Sequence, residues 1–148
     1  MFDTQFTNFL ITAKKETYAG SKNYIPSSRP KSHDLMYDEG DYTYIDTYMG
    51  GLKFIGEEVV WKSNNAIWGM NYIGRVIDES FDGDFLKLAL TQVDESMPFR
   101  GPKLFKKGDY TYTCSYEGNL HWFKGTEQIF FKDVLTYECL FHGGEIQD

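Results

Sequence analysis

The sequence has little cysteine and no excess of basic residues. Its two cysteines, Cys114 and Cys139, are typical of a protein in a reducing compartment, and a chain of 148 residues buries enough surface to fold without disulfides. Fifteen Lys and Arg residues are outnumbered by twenty-two Asp and Glu residues, which gives a net charge of −7. Because binding to nucleic-acid phosphates needs a basic surface, we expect no direct contact with nucleic acid.

The sequence also lacks a long apolar run. No stretch approaches the ~18 apolar residues that a membrane-spanning helix needs. The first residues, Met1–Phe6, contain neither a basic segment nor a long apolar segment, so they do not resemble a secretory signal peptide. These absences predict a cytoplasmic protein that has no membrane partner.

Motifs for catalysis or metal binding are missing as well. The sequence contains none of the HExxH, CxxC, GxGxxG, GxSxG or P-loop patterns. His33, His121 and His142 do not have the spacing of metal ligands, and nothing in the sequence orients Cys114 beside His121 as a nucleophile pair. We therefore expect no metal ion and no cofactor.

What the sequence does contain is an internal repeat. The five residues Gly40–Tyr44 recur unchanged as Gly108–Tyr112. This repetition predicts a single domain over residues 1–148, built from two copies at about 3–77 and 80–146. Further matches follow in the same order, first at one offset and then at an offset one residue longer: Tyr48 with Tyr116, Gly50 with Gly118, Leu52 with Leu120, Gly56 with Gly125, Glu58 with Glu127 and Gly74 with Gly143.

Each copy predicts the same order of elements. Apolar residues at helical spacing come first, near Phe6 and near Phe85, and a polar connection with proline follows, which in the first copy is the long segment Gly20–Gly40. Three strands separated by short glycine- or asparagine-containing turns complete the copy. The predicted fold class is α+β: an internal duplication of an α-β-β-β unit, forming a curved antiparallel sheet of about six strands with the helices packed on one face.

The change of offset between the copies predicts an irregularity in the sheet. It falls beside Gly56 in the first copy and beside Gly125 in the second. One extra residue in a paired strand produces a bulge. We therefore expect a bulge or kink near one or both of these glycines.

The last predicted strand of each copy has polar side chains on one face. Strand alternation places Asn71 and Arg75 together in the first copy, and Glu138 and His142 on the equivalent face of the second. If the two copies share a sheet, these four groups converge on one site. The alternative is an ordinary solvated outer face.

Two adjacent glutamates have different expected roles. Glu58 recurs as Glu127, which favours a structural role in both copies, whereas Glu57 has no acidic counterpart and is freer for function. A carboxylate removed from water has a raised pKa and can act as a general acid or base. Together with Trp68 and Tyr72, whose alternation places them with the core, Glu57 completes the residues that we expect to line a groove between the copies.

Two arginines follow the predicted helices at matching points. Arg29 precedes Pro30, and Arg100 belongs to an Arg-Gly-Pro sequence. Pairing with Glu58 and Glu127 is the favoured interpretation. The alternative is a clamp for an anionic ligand.

A series of short motifs runs along nearly the whole chain: Phe9-Leu10, Ala13-Lys14-Lys15, Thr17-Tyr18-Ala19, Arg29-Pro30, Asp34-Leu35, Gly40-Asp41-Tyr42, Gly50-Gly51, Phe54–Glu58, Trp68–Tyr72, Pro98–Pro102, Trp122-Phe123 and His142–Gly144. Their combination resembles an uncharacterised bacterial domain family of unknown function. The resemblance implies a sensing or dimerising module, because such domains are often fused behind an Xre-type helix-turn-helix regulator domain. We expect this sequence to depart from the fused form, with one N-terminal helix and no DNA-binding unit before it. The resemblance implies no catalytic residue.

Two functions of different classes follow. The first is a ligand-sensing or interaction module, associated with transcriptional regulation, whose small-molecule ligand contacts Glu57, Trp68, Asn71, Tyr72, Arg75, Glu138 and His142. The second is a small cytoplasmic enzyme that uses a carboxylate and histidine as an acid-base pair, centred on Glu57, Glu138 and His142. A purely structural homodimer is a third alternative.

Overall fold

The computed structural model describes residues 2–18 and 23–148, in two helices and nine strands. The helices are α1, Thr4–Tyr18, and α2, Gly83–Leu90. The start of the predicted Gly20–Gly40 connection and Ala19 of the resemblance motifs lie outside the described residues. The strands are β1 Tyr24–Ile25, β2 His33–Glu39, β3 Tyr42–Gly50, β4 Lys53–Lys62, β5 Asn65–Val76, β6 Leu104–Lys107, β7 Tyr110–Asn119, β8 Trp122–Phe131 and β9 Val134–Glu145.

All nine strands form one antiparallel sheet, in the order β1-β2-β3-β4-β5-β9-β8-β7-β6. The prediction of about six strands is therefore wrong. The additional strands lie in the connections that were expected to be polar loops: β1 and β2 before Gly40, and β6 before Gly108. β2 pairs along its whole length with β3, from His33 opposite Tyr48 to Glu39 opposite Tyr42. This pairing gives a polar segment a regular structure that its own residues do not specify.

The prediction that helices cover one face of the sheet is also wrong. The helices have only 15 and 8 residues. Helix α1 buries Phe6, Phe9 and Leu10 and contacts β2, β3 and α2, while α2 contacts β7. Part of the remaining core is closed by irregular chain, since Met97 and Phe99 between α2 and β6 are buried. The protein is predominantly a β-sheet, and its helices form no separate layer.

The sheet is symmetrical about the contact between β5 and β9. Tyr72 lies opposite Phe141 at this contact, and Trp68 and Val76 mark the ends of the paired segment of β5. From there, β4 and β3 follow on one side in the same order as β8 and β7 on the other. The symmetry is what two fused copies would produce, and the copy boundaries at 3–77 and 80–146 stay a prediction.

The predicted bulge does not lie beside Gly56 or Gly125. Those two glycines pair regularly with Tyr48 and Tyr116. The register shifts instead between Val60 and Trp61 in β4 and between Ile129 and Phe130 in β8. The extra residue of the second copy lies in a hairpin turn, because two residues separate Gly50 from Lys53 whereas three separate Gly118 from Trp122, at corresponding close contacts.

Gly56 and Gly125 instead make room for aromatic rings. A Cβ atom at Gly56 would lie 2.1 Å from the ring of Tyr72, and one at Gly125 would lie 2.2 Å from the ring of Phe141. Both rings lie on the buried side of the central strands. The repeated glycine therefore allows the two central aromatic residues to pack against the neighbouring strand.

The two cysteines are free and buried. Cys114 in β7 and Cys139 in β9 both pair with Glu127 of the intervening strand β8. One whole strand separates them, which agrees with the expectation that they form no disulfide. Among the described helices, neither has the length and apolarity needed to cross a membrane.

Candidate functional site

An open trough of about 1320 Å³ crosses the face of the sheet that points away from the core. Strand alternation produces this face, since Asn71 and Ile73 are exposed on either side of buried Tyr72. β3, β4, β5, β9, β8 and β7 contribute to its floor. Ser28 and Arg29, from the connection between β1 and β2, line it as well. The trough therefore spans both halves of the sheet.

One row of the trough is polar along its whole length. Each of its members lies opposite the next on the neighbouring strand, so the row runs across seven strands. We name it the polar row, and from β2 to β7 it consists of Asp34, Thr47, Glu57, Asn71, His142, Lys124 and Glu117.

The adjacent row is apolar over four strands. We name it the apolar row, and it consists of Met49, Ile55, Ile73 and Leu140, continued by the hydroxyl residues Thr126 and Ser115. Three of its members are half exposed: Ile55 at 50%, Ile73 at 55% and Leu140 at 55%. Contiguous exposed apolar side chains on a soluble domain often mark a binding surface.

The two rows occupy corresponding positions of the two halves of the sheet. The Met49–Ile55 pair of the first hairpin corresponds to the Glu117–Lys124 pair of the second, and Ile73 corresponds to His142. The backbone is thus nearly symmetrical, whereas the positions of Met49, Ile55 and Ile73 are apolar in the first half and carry Glu117, Lys124 and His142 in the second. A symmetrical scaffold with an asymmetric floor favours an asymmetric occupant.

Three of the predicted site residues meet in the trough. Glu57 lies opposite Asn71, and Asn71 lies opposite His142, so consecutive members occupy three neighbouring strands. All three are exposed. Whether the two copies share a sheet was left open by the sequence; β5 and β9 pair in one sheet, so polar side chains of both halves lie on one face.

Arg75 and Glu138 lie in an adjoining hollow of about 630 Å³. They face one another across β5 and β9, and Nε of Arg75 donates a hydrogen bond to Oε1 of Glu138 at 2.7 Å. The apolar row separates this pair from the polar row. The Glu57–Glu138–His142 grouping expected for an enzyme is therefore divided between two surfaces.

Trp68 and Tyr72 belong to the core. Trp68 is fully buried, and its Nε1 donates to the carbonyl oxygen of Leu120 at 3.1 Å. Tyr72 lies beneath the trough floor, and its hydroxyl donates to Oδ1 of Asp46 at 2.6 Å on the buried side. Of the two, Tyr72 lies at the trough, and Trp68 does not line it.

Sequence reasoning missed both ends of the polar row and the whole apolar row. Asp34 lies on β2, which was expected to be a loop, and its side chain accepts hydrogen bonds from Ser32 at 2.6 Å and Thr47 at 3.1 Å. Burial raises the pKa of Asp34, but its hydrogen bonds, including those from Ser28, Ser32 and Thr47, outweigh burial and lower it. The sequence signal for the apolar row was the alternation of Ile55 with its neighbours along the strand. That signal identifies the row only when the order of the strands is known.

A second group of functional side chains lies inside the core, on the other side of the sheet. The ammonium of Lys14 contacts the carboxylate of Glu58 and donates to the carbonyl oxygen of Phe99 at 2.7 Å. Nη1 of Arg100 lies 3.9 Å from Glu58, while Nη2 donates to Oε1 of Glu127 at 2.8 Å. These four charged side chains are buried, and we name them the buried ionic network.

Tyrosine hydroxyls satisfy the carboxylates of this network. Tyr18 donates to Glu58 at 3.0 Å, and Tyr112 and Tyr137 donate to Glu127 at 2.6 Å and 2.7 Å. Burial by itself raises the pKa of Glu127, but Arg100 and the tyrosine hydrogen bonds outweigh it and lower the pKa. Glu127 is therefore held as a carboxylate.

Asp46 differs from the two glutamates. It lies on β3 directly opposite Glu58. Burial and the Glu58 carboxylate raise the pKa of Asp46 to about 7, while the Tyr72 hydrogen bond, Arg100 and Lys14 oppose that rise. Its corresponding position in β7 is occupied by Cys114. The second half of the sheet thus has no carboxylate at the position that corresponds to Asp46.

The two arginines that follow the predicted helices have different surroundings in the structure. The pairing of Arg100 with Glu127 is confirmed, and Arg100 also approaches Glu58. Arg29 does not belong to the buried ionic network, because it is exposed and lines the trough. Lys14 of α1 is the main partner of Glu58 instead. The described part of the chain contains no group of three His, Cys, Asp or Glu residues that could hold a metal ion.

Residues 46–146 match the model of a family described as a domain of unknown function, DUF5680. The chain belongs to the DUF5680 family. The match includes β4, β5 and all of the second half of the sheet, hence most of the trough and both glutamates of the buried ionic network. Comparisons with curated proteins and with solved structures gave no significant match.

Proposed function

We propose that this DUF5680 domain is a ligand-binding module and that the trough is its binding site. The observation that carries the proposal is the pair of neighbouring rows, one apolar and one polar, on the open face of a rigid sheet. Binding sites typically combine apolar surface with a few polar groups that fix the orientation of the ligand. The Ile55–Ile73–Leu140 surface and the Glu57–Asn71–His142 series supply these two components side by side.

The architecture separates binding from folding. The ionic network and aromatic core lie on one side of the sheet, whereas the trough residues Asn71 and Ile73 are exposed on the other. Neighbouring positions on one strand therefore serve different purposes, as Glu57 in the trough and Glu58 in the core illustrate. A ligand can occupy the trough without disturbing the core.

A sensing role in transcriptional regulation completes the proposal. Its support is the resemblance to bacterial domains that are fused behind Xre-type regulators, in which a binding module would pass a signal to the attached DNA-binding unit. In such a regulator, ligand binding to this domain alters the attached DNA-binding unit. The domain itself then makes no contact with DNA and needs no basic surface. The net charge of −7 fits this division of work.

The enzyme alternative has less support. It requires a carboxylate and an imidazole at one reaction centre, and Glu138 is paired with Arg75 in the adjoining hollow. Glu57 and His142 share the polar row, but Asn71 lies between them. We therefore keep acid-base catalysis as a hypothesis without assigning it residues.

The test is thermal unfolding of the purified domain against a panel of metabolites and nucleotides, repeated with two variants. A ligand at a hundred times its dissociation constant stabilises the folded state by about 2.7 kcal/mol, which raises the midpoint by several degrees. Ile73→Asn alters the trough without adding charge, and Leu52→Asn is the matched control at a residue that is 74% exposed and lies outside it.

We expect one chemical class to raise the midpoint of the unmodified domain and of Leu52→Asn, and to raise that of Ile73→Asn less. Equal responses of both variants would place the ligand elsewhere. A flat response to the whole panel would contradict the proposal and favour a structural role.

A further inference from the structure

The charged groups around the trough differ in whether they have partners. Glu117 forms an ion pair with Lys124 at 3.4 Å, and Asp34 accepts hydrogen bonds from Ser32 and Thr47. Glu57 has neither an ion-pair partner nor a side-chain hydrogen bond among residues 2–18 and 23–148. Its carboxylate is therefore available to interact with solvent or with a ligand in the trough.

Glu57 also has a central position. It lies in the polar row between Thr47 and Asn71, whose side chains offer oxygen acceptors. Along its own strand, Ile55 is the next residue on the same face and belongs to the apolar row. An ammonium group at Glu57 would therefore be surrounded by acceptors while the rest of the molecule lies over apolar side chains.

The two cations that line the trough, Lys124 and Arg29, form no ion pair with Glu57 in the described part of the chain. Lys124 lies on β8, three strands from Glu57 on β4, which is about 14 Å at the usual spacing between strands. Arg29 lines the trough from the connection before β2. The middle of the trough thus has negative charge beside apolar surface, within a protein of net charge −7.

We infer that the ligand of the trough is an organic cation with an apolar body, whose ammonium group is bound at Glu57 and whose body covers Ile55, Ile73 and Leu140. The inference rests on the proposed function, since it concerns the same trough. An anionic ligand would be repelled by the Glu57 carboxylate. A neutral apolar ligand would remove that carboxylate from water without giving it a partner, which is unfavourable.

The experiment compares three probes of equal chain length: n-octylammonium, n-octanol and n-octanoate, each below the concentration at which it aggregates. Methyl NMR signals of Ile55, Ile73 and Leu140 report the location of binding, and titration gives the affinity. Glu57→Gln removes the charge at nearly constant size. Glu117→Gln is the matched control, because it removes a carboxylate from the same row that is paired with Lys124.

We expect n-octylammonium to shift the three methyl signals and to bind more tightly than the other probes. Glu57→Gln should weaken its affinity about fivefold, as for a partly exposed ion pair, and Glu117→Gln should change it less. The variants' unfolding midpoints should match that of the unmodified domain, because both side chains are exposed.

Three results would overturn the inference. If n-octanoate or n-octanol binds the trough as tightly as n-octylammonium, the ligand class is wrong, although the trough remains a binding site. If Glu57→Gln and Glu117→Gln have equal effects, Glu57 is not the anchor. If no probe shifts the methyl signals, the inference fails, and the metabolite panel described above then decides separately whether the proposed function fails with it.

Discussion

Arg100 bridges Glu58 and Glu127, two glutamates that hold corresponding positions in the halves of the sheet. Its Nη2 lies 2.8 Å from Oε1 of Glu127, and its Nη1 lies 3.9 Å from Oε1 of Glu58. Lys14, which lies in the first helix, also contacts Glu58. The buried ionic network thus joins α1, β4, the connection after α2, and β8 within one core.

Replacing Arg100 by Leu should strongly destabilise the fold. The substitution leaves Glu127 buried without its cation, and breaking a buried ion pair from one side typically costs about 3–5 kcal/mol. Chemical denaturation measures this loss. Arg29→Leu is the control, because Arg29 is exposed, and it should change the free energy of unfolding by less than about 0.5 kcal/mol. Similar effects of both variants would contradict the role given to Arg100.

Tyr44 and Tyr112 offer a second matched pair, since they occupy corresponding positions in the repeated Gly-Asp-Tyr-Thr-Tyr motif. The Tyr112 hydroxyl donates to Glu127 at 2.6 Å and accepts from the backbone N–H of Gly101 at 2.9 Å. The Tyr44 hydroxyl is buried and has no hydrogen-bond partner in the described part of the chain.

Tyr112→Phe should therefore destabilise the protein by about 1–3 kcal/mol, whereas Tyr44→Phe should be neutral or stabilising. The reason is that the first substitution removes satisfied hydrogen bonds, and the second removes a hydroxyl whose burial is uncompensated. Urea unfolding of both variants provides the comparison. A larger loss for Tyr44→Phe than for Tyr112→Phe would show that the Tyr44 hydroxyl has a partner in solution.

Gly125→Ala tests the close packing at the centre of the sheet. The added Cβ would lie 2.2 Å from the Phe141 ring and 2.6 Å from the carbonyl oxygen of Ser115, so the strand or the ring must move. Overpacking of this kind costs about 1–3 kcal/mol. Gly51→Ala is the control, because a Cβ at Gly51 meets no atom within 4 Å. Thermal unfolding should show a clear loss for the first variant and little change for the second.

The predictions from sequence succeeded where local pattern decides the structure. The alternation Asn71-Tyr72-Ile73 separates exposed from buried side chains as expected. The pairing of Arg100 with Glu127 was also predicted, from the matching positions of the two arginines and the two repeated glutamates.

The errors arose where distant pairing decides the structure. β2 is polar at both ends and becomes a strand because β3 offers it a complete ladder of hydrogen bonds. The matches between the two copies do not decide whether the extra residue of the second copy lies in a strand or in a turn. It was expected in the strand near Gly125, and the structure has it in the turn between Gly118 and Trp122. The apolar row depends on the registers of four strand pairs, none of which is encoded in a single segment.

The raised pKa of Asp46 predicts a pH dependence of stability. Burial and the adjacent Glu58 carboxylate raise this pKa to about 7 in the folded protein, whereas an unfolded Asp has a pKa near 3.9. Between these values the folded state binds the proton more tightly than the unfolded state. The contribution of Asp46 to stability is therefore largest at low pH, falls as the pH rises from about 4 to about 7, and is constant above that interval.

Asp46→Asn should remove this contribution, because an amide keeps the acceptor for the Tyr72 hydroxyl but does not ionise. We expect the variant to match the unmodified protein near pH 4 and to exceed its stability at pH 8 by roughly 4 kcal/mol. Asp34→Asn is the control of opposite sign, because hydrogen bonds from Ser28, Ser32 and Thr47 lower the pKa of Asp34 despite its burial. That variant should lose stability relative to the unmodified protein as the pH rises from below the lowered pKa of Asp34 to about 5, an interval lower than that of Asp46.

Denaturant unfolding across the two pH intervals measures both differences. If Asp46→Asn were less stable than the unmodified protein at pH 8, the Asp46 carboxylate would be a net stabilising member of the core, held by Lys14 and Arg100 rather than opposed by Glu58. The sign of the difference therefore decides which neighbour dominates. It also decides whether the core has one carboxylate more than its two cations can balance.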